Sequence, residues 1–140
     1  MKRLFLILVF YIFSQTSTFA NERDVRLNQL FNELKVNKAK IASIVEQEIW
    51  KIWSTHPSDA KLTARIEEGS QFVRNQQLSK AIEIFTEVIN LDQNWAEAWN
   101  KRATVFYMMG EFEKSQDDID KVLAIEARHF GALALSLIHI

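Results

Sequence analysis

Residues 62–95 read LTARIEEGSQFVRNQQLSKAIEIFTEVINLDQNW, and residues 96–129, which follow directly, read AEAWNKRATVFYMMGEFEKSQDDIDKVLAIEARH. Small and bulky side chains recur in the same order in both stretches at an offset of 34 positions. The matched positions pair Gly69 with Ala103, Phe72 with Phe106, Ala81 with Ser115, Phe85 with Ile119 and Val88 with Val122. Such a repeat is typical of helical hairpins that must stack to bury their apolar faces, which predicts a function on the outer surface.

Each repeat predicts two helices, because its apolar residues recur at intervals of three and four. The four predicted helices cover residues 60–75, 78–90, 96–109 and 112–125. The small residues that would let paired helices approach closely are Gly69, Ala81, Ala103 and Ser115. Only three glycines and one proline occur in 140 residues, and no alternating run of strand length is present. We therefore predict an all-α fold, a solenoid of helical hairpins.

Residues 21–57 predict a separate helical hairpin outside the repeat register. One apolar stripe runs from Leu27 to Leu34 and a second from Ile41 to Trp53. We expect this hairpin to cover the first edge of the stack, a capping role that solenoids need for solubility. Pro57 marks its end.

The first twenty residues have the pattern of a signal peptide. Lys2 and Arg3 precede an apolar run over residues 4–13, and Thr18 and Ala20 occupy the small positions of a cleavage site. The alternative is an uncleaved membrane anchor, but ten apolar residues cover only about 15 Å as a helix, half of a hydrocarbon core. We therefore expect cleavage after residue 20 and a periplasmic location.

Composition excludes several classes of protein. The chain has no cysteine, so disulfides, a lipid-modified cysteine and thiolate metal sites are ruled out. Residues 21–140 hold 15 basic and 18 acidic side chains, a formal charge of −3, which argues against a nucleic-acid partner. Residues 62–140 alone sum to −4 and mildly favour a basic or neutral partner.

Catalytic and metal-binding patterns are missing from the sequence. It contains no phosphate-binding loop, dinucleotide fingerprint, nucleophile elbow or paired-histidine zinc motif. His56, His129 and His139 are far apart in sequence. Three aspartates, Asp117, Asp118 and Asp120, could suggest an ion site, but on a helix they fan too widely, and a solvated helix face is the favoured interpretation. We expect no enzyme activity, cofactor or metal.

The two repeat units resemble a known family. The second unit, from Ala96-Glu97-Ala98-Trp99 through Ala103, Phe106, Gly110, Phe112 and Val122 to Leu123-Ala124-Ile125-Glu126, resembles the tetratricopeptide repeat (TPR), as does the first unit. The resemblance covers residues 62–129. Gln93 and Ala127 replace the family's proline, and Arg65 stands where an aromatic is usual. With its export signal, the chain also looks like small exported TPR proteins of alphaproteobacteria.

Residues 130–140 begin a third unit at the right offset. Residues 134–140 lack any charged side chain, and Leu137 stands where glycine or alanine is expected. We expect a truncated reading frame whose final residues are not native. A stack that stops here would leave the apolar face of its last helix exposed.

The four tryptophans divide into two groups. Trp99 and Trp53 complete apolar stripes and are expected in the core. Trp95 and Trp50 lie off those stripes and are the better candidates for a surface role.

TPR stacks line a concave groove with the first helix of each unit, and the resemblance implies a partner-binding groove here. The groove positions carried over by register are Thr63, Ile66, Ser70, Val73, Arg74, Glu97, Asn100, Thr104, Tyr107 and Met108. Of the positions that grip a peptide carboxylate in some members, only Asn100 is suitable, so a carboxylate clamp is not supported. An extended or helical segment with apolar anchors fits better.

The sequence therefore predicts a non-enzymatic periplasmic module for protein–protein interaction, an adaptor or scaffold of the cell envelope that binds a protein or peptide in the groove. The alternative is a structural or regulatory subunit that docks on an envelope enzyme through the Trp50 and Trp53 surface or the C-terminal edge. No cofactor and no stable membrane span after signal cleavage are expected.

Overall fold

The structure is a computed structural model that describes residues 22–35 and 39–138. The predicted signal peptide over residues 1–20, His139 and Ile140 lie outside these ranges. All regular structure within them is helical, and the all-α prediction is confirmed. The helices are α1 (22–35), α2 (Ala39–Ser54), α3 (Ala60–Arg74), α4 (Leu78–Leu91), α5 (Ala96–Met108), α6 (Phe112–Ile125) and α7 (Phe130–Ile138). The predicted repeat helices agree with these bounds to within one residue.

The chain divides into two compact units with the boundary between Asp59 and Ala60. In the first unit, the buried members of the two apolar stripes are Leu27, Leu30, Val45, Ile49 and Trp53. Ile44 of the α2 stripe is 64% exposed. Trp53 is 2% exposed and lies 6.0 Å from the ring of Phe31, while half-buried Trp50 packs edge-on against it at 5.6 Å. The core position predicted for Trp53 is confirmed. Whether this hairpin caps the repeats stays a prediction.

The second unit holds α3 to α7 in a stack. Each helix packs on the next one along the chain, and α5 also contacts both α3 and α7. The first helices of successive repeats therefore lie side by side, which is the arrangement that produces a common face. Phe85, Val88, Ile119 and Val122, which come from matched repeat positions, are fully buried.

Gly69 allows α3 and α4 to approach closely. A Cβ at this position would lie 2.9 Å from Cζ of Phe85 and closer still to Cε1, where no neighbouring atom normally fits. In the second repeat, Ser115 Oγ donates a hydrogen bond of 2.9 Å to the carbonyl of Ala103, so α5 and α6 also approach closely. The predicted role of small residues at this contact is confirmed.

The hairpin turns of the two repeats have the same geometry. Gly110 (φ +77°) and Gln76 (φ +58°), 34 positions apart, both adopt the left-handed conformation. In each turn, the backbone amide of the residue after the left-handed one donates a hydrogen bond to the carbonyl five residues earlier. Gln77 donates to Phe72 at 2.8 Å, and Glu111 donates to Phe106 at 2.9 Å. This is the Schellman pattern that satisfies the last carbonyls of a helix. Glycine adopts this conformation easily, whereas glutamine does not.

Outside the predicted groove, the positions predicted for Trp95 and Asp118 are wrong. Trp95 is 2% exposed and belongs to the core that includes Phe85 and Val88, because the turn before α5 folds it back onto the first repeat. Asp118 is 3% exposed and is not part of a solvated face. Its carboxylate accepts two hydrogen bonds of 2.8 Å from Arg102, Nε to Oδ2 and Nη2 to Oδ1. That pairing is what makes its burial possible.

α7 starts at Phe130, the position where the repeat register predicts a third unit, and that third unit stays a prediction. Ala132 of α7 is fully buried against the second repeat, whereas Leu133, Leu137 and Ile138 are exposed. Over the described ranges, no helix combines the length and the apolar character that a bilayer crossing requires.

Candidate partner-binding groove

A hollow of about 240 Å³ lies where α3 and α5 run side by side. Apolar side chains from α3, α4 and α5 line its wall and floor, and two cations stand on its rim. The lining residues are Ser70, Val73, Arg74, Phe85, Lys101, Thr104 and Val105. The structure thus brings four of the residues predicted for the groove, from both repeats, into one surface feature.

The hydroxyls of the hollow occupy equivalent places in the two repeats. Ser70 Oγ donates to the Ile66 carbonyl at 2.9 Å, and Thr104 Oγ1 donates to the Asn100 carbonyl at the same distance. Since each hydroxyl proton is already bound within its own helix, the two oxygens offer acceptor lone pairs to a partner.

The cations on the rim are already paired within the chain. Arg74 Nη2 lies 2.7 Å from Oε1 of Glu67, and Lys101 Nζ lies 3.1 Å from Oε1 of Glu97. The Arg74 pair is exposed on both sides, so its contribution to stability is small and either partner can reorient. The rim is therefore close to neutral, because each of its two cations already has a carboxylate partner.

Three residues that the register places on the groove are buried instead. Ile66 is 4% exposed and belongs to the core, so it does not offer a contact surface. Glu97 and Asn100 are 1% and 6% exposed. Asn100 Nδ2 donates to Glu97 Oε2 at 3.0 Å, which makes both residues part of an internal polar network. Their expected place on the partner-binding surface is corrected accordingly.

The network centres on Glu97 and His129, whose side chains are both fully buried. His129 Nδ1 accepts the amide proton of Ala132 at 3.3 Å, so in the neutral ring Nε2 carries the proton and donates to Glu97 Oε2 at 3.2 Å. Burial by itself raises the pKa of Glu97, but the His129 hydrogen bond and the Lys101 charge together outweigh it. The net result is a pKa below the usual value, and the carboxylate stays ionised.

The remaining groove candidates lie outside the hollow. Thr63 and Tyr107 are half-buried, and the Tyr107 ring packs 5.6 Å from that of Phe112. Met108 is 45% exposed at the end of α5, next to exposed Met109. Tyr107, Met108 and Met109 lie at the end of α5, beside the turn of the second repeat.

Sequence reasoning missed Lys101 as a groove residue. Its position was readable, because it follows Glu97 by four residues and precedes Thr104 by three and so shares their side of the helix. Phe85 and Val105 were not expected in the hollow because their apolar positions indicate core, and the hollow reaches the core only where the two repeats meet.

In the described ranges, no three His, Asp or Glu side chains gather into a possible metal site. His129 is bound to Glu97, and His56 accepts the amide protons of Ser58 and Asp59 at 3.3 and 2.9 Å.

Comparisons with known proteins agree with the architecture. A TPR repeat-containing protein of Rhizobium etli is 37% identical over 110 residues, which make up 78% of this chain and 53% of that protein. Sperm-associated antigen 1 of Rattus norvegicus is 29% identical over 66 residues, 47% of this chain and 7% of the rat protein. No family model matches the chain. The chain spans about half the length of the Rhizobium relative. The similarity to this relative, the 34-residue period and the paired helices together show that the chain carries tetratricopeptide repeats.

Proposed function

We propose that this protein is a non-enzymatic module for protein–protein interaction that binds a partner segment in the hollow between α3 and α5. The observation that carries the proposal is the convergence of Ser70, Val73, Arg74 and Thr104, from two repeats, on one concave feature. The TPR relatives support a protein partner in general.

The chemistry of the hollow defines the segment that fits. Val73, Phe85 and Val105 supply apolar contact, and the rim offers Arg74 and Lys101, each with its own carboxylate partner. An extended or helical segment that inserts one apolar side chain and reaches the rim with polar groups satisfies this surface. A hollow of about 240 Å³ is small, so the contact is weak and transient.

The proposed location is the periplasm, where the module serves as an adaptor or scaffold of the cell envelope. Residues 1–20 support it through their basic start, apolar run and small-residue end. A fusion of residues 1–25 to alkaline phosphatase tests the location, because that enzyme is active only after export. An inactive fusion in cells that produce it at full length contradicts the proposal.

The groove is tested by a photo-crosslinking amino acid at Thr104, with Glu113 on α6 as the matched exposed control. We expect a discrete adduct at position 104 that is absent at position 113. The partner is identified by mass spectrometry and purified, and its affinity is measured for wild type, Thr104→Trp and Glu113→Trp. Because a tryptophan fills the hollow, only Thr104→Trp is expected to weaken binding, by about tenfold or more. Equal affinity of all three proteins contradicts the groove proposal.

A second candidate is a subunit that docks on an envelope enzyme. The exposed apolar side chains Leu133, Leu137 and Ile138 of α7 favour this role, since exposed apolar patches often mark interaction sites. Leu137→Glu separates the two candidates: it abolishes recovery of the crosslinked partner only if the partner uses the C-terminal edge.

A further inference from the structure

The turn that follows α3 contains a strained residue. Gln76 has a φ of +58°, and the matching position of the second repeat holds Gly110 with a φ of +77°. The hairpin turn therefore requires a left-handed backbone at this position, which glycine adopts easily and a residue with a side chain does not. Strained backbone of this kind clusters at binding and switch sites, so the side chain of Gln76 is a candidate for a role beyond the fold.

This turn adjoins the hollow between α3 and α5. Gln76 donates its backbone amide to the carbonyl of Val73 at 2.9 Å. Val73 and Arg74, the last two residues of α3, both line the hollow. Gln76 therefore lies at the end of α3, where a segment that fills the hollow can leave it.

The side chain of Gln76 is exposed, as are those of its neighbours Asn75 and Gln77. The backbone amides of all three residues donate to carbonyls of α3. Their carboxamides, by contrast, make no hydrogen bond to any residue in the described ranges. The matching residues of the second repeat, Met109 and Glu111, carry no carboxamide. The first repeat thus has a turn with unused amide donors and acceptors that the second repeat lacks.

A carboxamide matches a peptide group in its hydrogen bonding, because each has N–H donors and a carbonyl acceptor. An extended partner segment offers its peptide groups along its whole length, whereas a helix bonds most of them internally. The hydroxyl oxygens of Ser70 and Thr104, whose protons are bound within their own helices, add two acceptors for backbone N–H groups. The polar groups of the hollow and of its end therefore favour an extended segment.

We infer that Gln76 is a partner-binding residue whose carboxamide pairs with the backbone of an extended segment where that segment leaves the hollow. The inference rests on the proposed function of the hollow and adds the conformation of the partner segment. A side chain then occupies a position where the turn favours glycine, so stability and binding oppose each other at this residue.

The probe is a peptide selected on the full chain from a phage-displayed library of random sequences, after removal of clones that also bind Thr104→Trp. Because the tryptophan fills the hollow, the peptides that remain bind there. Failure to obtain any such peptide contradicts the groove and the inference together. The variants of Gln76 test the inference alone.

Gln76→Gly and Gln76→Ala both remove the carboxamide, and each is expected to weaken binding of the selected peptide about three- to tenfold. Gln76→Gly also relieves the left-handed strain, so its free energy of unfolding in urea is expected to rise while its affinity falls. Asn90→Ala removes an exposed carboxamide of α4 and is expected to leave the affinity unchanged. The inference is overturned if either Gln76 variant binds as tightly as the wild type, or if Asn90→Ala weakens binding equally.

Peptides in which one amide at a time is replaced by an ester test the backbone contact, because an ester has no N–H donor. We expect one position where the ester weakens binding to the wild type more than binding to Gln76→Ala, since the variant already lacks the acceptor of that N–H. If every ester reduces the affinity of both proteins by the same factor, Gln76 does not pair with the partner backbone and the inference is overturned.

Discussion

Glu97 of α5 and His129, the residue before α7, form a fully buried hydrogen bond of 3.2 Å that links the first helix of the second repeat to the start of α7. Asn100 and Lys101 add two more contacts to the same carboxylate. A buried carboxylate is stable only with such partners, so the start of α7 is fixed to α5 by a polar contact as well as by apolar packing.

This network makes stability depend on pH. The pKa of Glu97 in the folded protein lies below its usual value of 4.5 because the contacts with His129 and Lys101 exceed the cost of burial. A lowered pKa contributes stability above the unfolded value, and this contribution is lost as the pH falls through the folded pKa. We expect the free energy of unfolding to decline below about pH 4.5, and Glu97→Gln to reduce both the stability at pH 7 and this decline.

Urea denaturation followed by tryptophan fluorescence between pH 3 and 7 measures the effect. Glu83→Gln on the exposed face of α4 is the control and should follow the wild-type profile. If the free energy of unfolding of Glu97→Gln declined below pH 4.5 as steeply as that of the wild type, Glu97 would not be the cause of the pH dependence.

Gly69→Ala is expected to destabilise the first repeat by about 1–3 kcal/mol, because the new Cβ overlaps the ring of Phe85. Chemical denaturation measures the loss. Phe85 is rigid and fully buried, so it cannot move aside cheaply. Gly69→Ala combined with Phe85→Leu should lose less stability than the sum of the two single changes, and strict additivity would show that the two residues do not compete for space.

The two hairpin turns predict changes of opposite sign. Gln76→Gly is expected to raise the free energy of unfolding by about 1 kcal/mol, since it removes the cost of a left-handed conformation in a residue with a side chain. Gly110→Ala introduces that cost at the matching position and is expected to lower stability by a similar amount. Thermal and urea unfolding of the two variants test both signs, and a stabilising Gly110→Ala would contradict the shared turn geometry.

Arg102 and Asp118 form an ion pair whose side chains are 16% and 5% exposed. Arg102 also donates to Thr86 Oγ1 at 3.0 Å and lies 5.1 Å from the centre of the Trp99 ring. Asp118→Ala leaves this guanidinium without its anion and is expected to cost about 2–4 kcal/mol. Arg102→Met combined with Asp118→Leu should cost less than Asp118→Ala alone, because no uncompensated charge remains. If the double variant lost as much free energy of unfolding as Arg102→Met and Asp118→Leu lose together as single variants, the two residues would not be directly coupled.

Much of this fold could be predicted from local pattern. The 34-residue period, the helix bounds and the small contacts at Gly69 and Ser115 were all readable, because helical periodicity and side-chain volume act between near neighbours in sequence. The candidate groove was predicted in part: register located Ser70, Val73, Arg74 and Thr104, which do line one hollow.

Only the tertiary structure decided which polar residues are buried. Glu97 and Asp118 read as surface residues, yet each is buried by a partner 32 or 16 positions away, His129 or Arg102. Trp95 looked exposed because it lies off the apolar stripes, and the turn places it in the core. Periodicity predicts which side of a helix a residue occupies. The burial of a charged residue or of a turn residue depends on the partner side chains that another segment supplies, and the stacking of the hairpins determines which segments meet.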